Sequence, residues 1–271
     1  MRLLQRTTRR LALTEAGQAF YDSVSGSVAA IDEADTDVRE RGATPRGPVR
    51  LSSPPDVGLV AESLAKFARK HPGIRLELMV TPRYVDLVTE GFDLAIRAAH
   101  HLEDSSLIAR RIGSSEMILV ASPGYLRRRG RPKTLAELPA HDWVLHRASQ
   151  GQAQLRLTGP TGVQTVDVPG SLVADDMAFG RAAVEAGGGL ALLPVHMVSE
   201  AVSAGRLEHI LPAWSDGGAS LFVVLPSARY VPARVALVRD FLIENLGRHL
   251  AESLARCRKS KHLAAGTRAS S

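Results

Sequence analysis

Downstream of "GATPRGP" (residues 42–48) the hydrophobic period switches back and forth between two and 3.6. That switching constrains the fold more than any other feature. "PVRLSS" (48–53) reads as a short strand. A helix that Asp56 can cap runs through Lys70, with Val60, Leu64 and Phe67 on one face, and "HPG" ends it. "IRLELMV" (74–80) alternates, with Ile74, Leu76, Leu78 and Val80 on one side. "RYVDLVTEG" (83–91) reads as a short helix, and "FDLAIRA" (92–98) and "EMILVAS" (116–122) as buried strands. Strand–helix alternation of this kind predicts an α/β fold with a largely parallel sheet, because parallel neighbours need a crossover long enough to be a helix.

From Ser122 the units are less regular. "SPGYLRRRG" and "TLAELPAHD" read as short helices around turns, and "WVLH", "AQLRLT" and "VQTVDV" as short strands. "SLVADDMAFGRAAVEAGGGLALLP" (171–194) reads as strand, helix, glycine turn, strand. "SLFVVLP" is a late strand and "ARVALVRDFLIENL" an amphipathic helix. Length and pattern together predict two α/β lobes with a cleft between them.

Upstream, Thr14 is placed to cap a helix from Glu15 to about Arg41. Its apolar residues Phe20, Val24, Val28, Ile31, Ala34 and Val38 are spaced by three or four. A long helix with one narrow apolar seam pairs with another helix, as in a coiled coil, or packs on its own domain. Gly42, Pro45, Gly47 and Pro48 then form a hinge.

Charge divides the chain differently. Residues 1–14 carry four arginines and no acid, whereas residues 51–246 carry 20 acids and 20 bases. Residues 247–271 carry six bases and one acid. Basic ends around a neutral body suggest a polyanion at the ends and a different task in the middle. By composition, residues 249–271 read as a basic disordered tail.

Several classes are excluded. No run approaches the roughly 18 apolar residues of a membrane span, and no apolar segment follows the N-terminal arginines as in a secretory signal. The lone Cys257 makes neither an internal disulfide nor a zinc site. A cytoplasmic protein is expected. Gly187, Gly188 and Gly189 follow a helix and precede a strand, the reverse of a dinucleotide-binding turn, so they read as a helix cap and tight turn. His100 and His101 are adjacent and make a poor metal pair. No Ser/His/Asp set is identifiable by spacing. No enzyme activity, cofactor or metal is expected.

"RLLQRTTRRLALTEAG" (2–17) resembles the end of the winged helix-turn-helix of LysR-type transcriptional regulators, the wing followed by the linker helix. "EGFDLAIR", "ASPGYLRRRGRP", "AGGGLALLP" and "RVALVRDFL" resemble, in order, landmarks of that family's effector-binding domain. The resemblance implies a wing remnant at 1–14 and a linker/dimerisation helix and hinge at 15–48. It further implies an effector domain at 49–248 built like periplasmic binding proteins, with lobe one at 49–121 plus 222–248 and lobe two at 122–221. It implies homodimers or homotetramers held through Phe20, Val24, Val28, Ile31 and Val38, and an effector in the cleft that alters transcription. In that family the scanning and recognition helices precede the wing, whereas this sequence opens at the wing. The expectation is therefore a chain lacking its base-reading helix. It would touch DNA phosphates through Arg6, Thr7, Thr8, Arg9 and Arg10, weakly and without sequence preference. The alternative is a stand-alone small-molecule binding protein, which should carry a signal peptide and no wing or linker helix.

Ligands of open α/β sheets sit beyond the carboxyl ends of strands, near helix N-termini. This directs attention to "SSPPDVG", where Ser52 and Ser53 offer hydroxyls to a ligand or cap the helix, and Pro54 stiffens the loop. Arg97, at the end of a buried strand, needs a partner, either a ligand carboxylate or an internal Asp. His146 ends "WVLH" and faces the cleft if the resemblance holds, or is hydrogen-bonded structure. Of Asp175, Asp176 and Met177, one aspartate caps the following helix and the other is free to meet an effector hydroxyl.

Overall fold

The computed structural model describes residues 3–6, 11–17, 19–20, 24, 44–55, 58–100, 107–226 and 231–266. It opens with a hairpin of β1 (Leu4–Arg6) and β2 (Leu11–Leu13), paired antiparallel with Leu4 opposite Leu13. The Thr14 hydroxyl accepts a hydrogen bond from the Gly17 amide at 3.0 Å, which is the expected cap, and residues 15–17, 19–20 and 24 are helical. Of the seam, Phe20 is exposed and Val24 half-buried. Val28, Ile31 and Val38 lie outside the described residues, as do Thr7, Thr8, Arg9 and Arg10. For Arg6 only the backbone is described.

Lobe one is built on β3 (Gly47–Ser53), α1 (Gly58–Lys70), β4 (Ile74–Val80) and β5 (Leu94–Ala99). Strand β3 pairs in parallel with β4 on one side and β5 on the other. Helix α1 buries Leu59, Val60, Leu64 and Phe67 against the sheet. Phe67 meets Phe241 of the C-terminal helix edge-on, with ring centroids 5.2 Å apart. Truncating a core side chain of this kind to Ala costs about 3–5 kcal/mol.

The connection from β4 to β5 departs from the expected short helix. Residues 87–91 form a turn instead. The Asp86 carboxylate accepts from the amides of Val88 and Thr89 and from the Thr89 hydroxyl, offering the backbone a local alternative to the helical ladder. Glu90 closes the loop by accepting from the Asp86 amide at 2.9 Å and from the Arg83 guanidinium at 2.7 and 2.5 Å. Val85, Leu87 and Phe92 are buried beneath it.

The sheet is mixed rather than largely parallel. Its order is β11–β6–β12–β5–β3–β4, and β6 (Ile108–Ala121) and β12 (Glu208–Leu225) pair antiparallel with each other and with β11 (Leu190–Pro194) and β5. The reason is connectivity: β6 carries the chain from lobe one into lobe two, and β12 brings it back in the opposite direction. "EMILVAS" and "SLFVVLP" are thus the apolar ends of two much longer strands. Pairing between them slips between Ile210 and Ser215, between Asp216 and Ala219 and between Leu221 and Phe222, marking the crossover where the lobes meet.

Lobe two adds α2 (Pro123–Arg129), a 3-10 turn (Leu135–Ala140), β7 (Val144–His146), β8 (Gln152–Gly159), β9 (Gly162–Pro169), β10 (Leu172–Ala174), α3 (Met177–Glu185) and α4 (Val195–Ser203). Its sheet is covered on both faces, by Tyr125, Leu138 and Trp143 on one side and by Val184, Val198 and Ala201 on the other. The buried Trp143 indole donates to the Leu138 carbonyl at 2.9 Å. Gly187–Gly189 do end α3 and turn into β11. Gly189, at φ 142°, lies against the Asp142 carbonyl where a Cβ would collide.

The last element also differs from expectation. Helix α5 runs from Ala233 to Gly266, so residues 249–266 are helical rather than a disordered tail. Leu250, Ser253 and Cys257 are buried and Leu254 half-buried. Their spacing continues the stripe of Leu242 and Leu246 through a segment whose lysines and arginines dominate its composition.

Candidate effector cleft

A cavity of about 480 Å³ lies between the lobes. Seven of the eight residues expected to bind effector line it: Ser52, Ser53, Pro54, Arg97, His146, Asp175 and Met177. Ser52 and Ser53 end β3 and are buried, the Ser53 hydroxyl donating to the Pro54 carbonyl at 3.2 Å. Leu59 and Val60, from the first turn of α1, join the wall. Asp56, the expected cap of that helix, lies outside the described residues.

Arg97 stands on β5 opposite Phe222 of β12. Its Nη2 donates to the Val85 carbonyl at 2.9 Å, and its guanidinium lies 4.9 Å from the centre of the Tyr84 ring. Its Nε is buried with no hydrogen-bond partner, and no carboxylate among the described residues forms an ion pair with it. Among the described residues, then, no internal aspartate partners Arg97; Glu103 and Asp104 lie outside them. What holds the guanidinium is a carbonyl dipole and an aromatic face, which leaves its charge available.

On the opposite wall, Asp176 is the N-cap of α3: its carboxylate accepts from the Phe179 amide at 2.6 Å, and it is the one expected effector contact that does not line the cavity. Asp175, one residue earlier, does line it. His146 ends β7, exposed to solvent, with its imidazole pKa lowered, first by partial desolvation against the cleft wall and then by the neighbouring Arg147 charge, with Asp175 and Asp176 opposing. Arg147 adopts φ 50°, a left-handed conformation rare outside glycine, in the loop that forms this side of the cavity.

Several wall residues carry no sequence signal. Arg83 and Tyr84 come from the β4–β5 loop, Ser115 and Met117 from β6, and His196 from the start of α4. The Ser115 hydroxyl and His196 Nδ1 are 2.7 Å apart. Arg83 is neutralised by Glu90, whose carboxyl is pulled down to about 2, chiefly by its hydrogen bonds to Arg83 and the Asp86 amide. Among the described residues the cleft thus combines two cations without a carboxylate partner, Arg97 and Arg147, with buried hydroxyls, one carboxylate on the far wall, and an apolar lining from Pro54, Pro55, Ile96, Met117, Met177 and Leu221. It has the polarity of a site for an anionic ligand with an apolar body.

Residues 42–247 match the LysR substrate binding domain. An uncharacterized HTH-type transcriptional regulator of Haemophilus influenzae is 34% identical over 236 residues, covering 86% of this chain and 82% of the relative. The HTH-type transcriptional regulator PtxR of Pseudomonas aeruginosa is 31% identical over 252 residues, covering 92% and 80%. Among solved structures, CrgA, a LysR-type transcriptional regulator from Neisseria meningitidis, superposes with a TM-score of 0.68 at 29% identity, over 91% of this chain and 84% of CrgA. The full-length virulence activator AphB of Vibrio cholerae superposes with a TM-score of 0.66 at 30% identity, over 90% and 84%. Family match, relatives and two-lobed architecture agree: the chain belongs to the LysR-type transcriptional regulators and carries their substrate-binding domain.

Proposed function

We propose that the chain regulates transcription in response to a small organic carboxylate held between its lobes. The observation that carries this is Arg97. A guanidinium fixed by the Val85 carbonyl and the Tyr84 ring, with a buried Nε lacking any partner, sits in a cavity that also exposes Ser52 and Ser53. A carboxylate there would accept a charge-assisted hydrogen bond from Arg97 and further bonds from the hydroxyls. Its apolar body would rest on Met117, Met177 and Leu221. Asp175 and His146 would meet a hydroxyl or amine at the far end and so favour some acids over others.

Homodimer or homotetramer assembly through Phe20, Val24, Val28, Ile31 and Val38, a cytoplasmic location, and DNA contact through Arg6, Thr7, Thr8, Arg9 and Arg10 belong to the same proposal. The relatives named above are regulators rather than enzymes, which supports a binding role for the cleft.

The test is a thermal-shift panel of small carboxylic acids, each paired with its neutral amide. A ligand that binds only the native state stabilises it by about 2.7 kcal/mol when present at 100 times its Kd. The expected result is that at least one acid raises Tm while its amide does not. Equal shifts from acid and amide would contradict a charge-based site.

A further inference from the structure

Two strands, β6 and β12, connect the lobes in sequence. The C-terminal helix connects them a third time, without being a covalent link. The first half of α5 belongs to lobe one: Val235, Val238, Leu242, Leu246 and Leu250 are buried in the core formed by β3, α1 and β5. Its second half belongs to lobe two: Cys257 is buried, and Leu254 half-buried, against Met197, Val198 and Ala201 of α4 and Leu207. At 1.5 Å per residue, the stretch from Val235 to Cys257 is a rod of about 33 Å.

Between its two anchors the rod lies directly on the crossover strand. A Cβ on Gly247 would come within 3.3 Å of the Ile112 carbonyl oxygen, and a Cβ on Gly113 within 3.1 Å of Leu250 Cδ1. Two glycines, one on each element, thus allow helix and strand to approach next to the point where β6 enters lobe two. Beyond it, Arg258 reaches Glu116 of β6 at 3.9 Å, and Cys257 Sγ lies 3.9 Å from His209 Nδ1 of β12. A rigid rod seated on both lobes cannot follow a change in the angle between them. Any bending of β6 and β12 must slide α4 along α5 or lift residues 250–257 away from lobe two.

We propose that α5 is an interlobe strap, whose docking on lobe two through Leu254 and Cys257 restrains hinge motion at β6 and β12 and so sets the width of the effector cleft. This inference does not depend on which ligand, if any, the cleft takes.

The chain supplies its own probe, because Cys257 is its only cysteine and is 2% exposed. Ala255 is exposed and lies within the lobe-two anchor, between Leu254 and Cys257; a proline there disturbs the turn at 251–254 that joins it to Leu250. Ala255→Pro removes one helical hydrogen bond and clashes with the preceding turn, breaking the rod without altering a core side chain. Ala255→Ser leaves the rod intact and serves as the control. In the full chain, a fluorogenic maleimide should label Cys257 about 100-fold faster in Ala255→Pro than in Ala255→Ser, the change in open population expected from an interior proline.

In a Cys257→Val background, which keeps an apolar side chain at the lobe-two anchor, spin labels on Val88→Cys in lobe one and Val173→Cys in lobe two report the interlobe distance by double electron–electron resonance. The expected result is one narrow distribution for Ala255→Ser and a broad one reaching longer distances for Ala255→Pro. Fast labelling with an unchanged distance distribution would overturn the strap, since the helix would then be undocked without consequence. Unchanged labelling would overturn it as well, since docking would not require a continuous rod. Should Ala255→Pro fail to fold, Leu254→Asp removes the lobe-two anchor from an intact helix, and the same pair of readouts decides.

Discussion

Ser115 Oγ and His196 Nδ1 lie 2.7 Å apart, joining crossover strand β6 to the first turn of α4 inside the cleft. The pair sits where the two lobes share a wall, so its strength bears on stability and on cleft shape together. A buried side-chain hydrogen bond contributes about 0.5–1.5 kcal/mol net. Ser115→Ala and His196→Gln should each destabilise the protein by about 1 kcal/mol in urea unfolding. The double variant should lose less than the sum, giving a coupling of about 0.5 kcal/mol or more. Strict additivity would mean that the two groups do not interact in solution.

Gly218 makes a second claim about the same crossover. It adopts φ 64°, and a Cβ there would collide with the Ser115 carbonyl. Gly205 also has a positive φ, of 72°, but with open space around its Cα. Gly205→Ala should therefore cost only the left-handed strain, about 1–2 kcal/mol. Gly218→Ala adds overpacking of about 1–3 kcal/mol and should cost about 2–5 kcal/mol in total. Equal losses in chemical denaturation would show that the β12 bulge relaxes to admit a methyl group.

The histidines set a pH dependence. His141, His146 and His249 all have lowered pKa values, with burial the largest cause in each. A histidine depressed on folding takes up its proton more readily in the unfolded chain. The unfolded state then binds more protons as pH falls below about 6.5, and stability falls with it. Unfolding free energy should therefore drop between pH 7.5 and 5.5, a range in which Glu62, Asp86, Glu90 and Glu137, all lowered, stay ionised. Replacing the three histidines with Gln should flatten the profile. A slope unchanged by the triple substitution would place its origin elsewhere.

The apolar spacing of Phe20, Val24, Val28, Ile31 and Val38 predicts assembly. Of its described residues, Phe20 is exposed and Val24 half-buried. Changing Val24 and Ile31 together to Lys should shift sedimentation toward the monomer at micromolar concentration. An unchanged mass would mean that this seam is not what holds the copies together.

The lining of the cavity was legible in the sequence where it coincides with local pattern. Ser52 and Ser53 end β3, and Arg97 lies two residues short of the end of β5; burial and alternation of these strands are visible in the residues themselves, and the rule that α/β ligands gather beyond strand ends directs attention to them. The Asp175–Asp176 ambiguity was of another kind. Either aspartate suits a cap by composition, and only the 2.6 Å contact from the Phe179 amide to Asp176 separates them. Ser115 and His196 were out of reach, because they are 81 residues apart and meet only through the antiparallel return of β12 and β11 beside β6. The 83–91 helix was misread because propensity favoured it while the Asp86 and Glu90 side chains captured the backbone. The helical C-terminal segment was hidden by its charge. Leu250, Leu254 and Cys257 keep helical spacing, but the lysines and arginines between them give the composition of a solvated tail.

Arg97 carries the central claim, that the cleft recognises an anion. Isothermal titration of the best-stabilising carboxylate, with the native chain and with Arg97→Gln, tests it most directly. A charge-assisted hydrogen bond contributes about 1.5–3 kcal/mol, so Kd should rise about 10- to 100-fold in the variant. The variant's melting temperature without ligand should stay within a few degrees of the native value, because Arg97 makes no ion pair with any described carboxylate. Undiminished affinity in a folded Arg97→Gln protein would contradict the account, making Arg97 part of the scaffold.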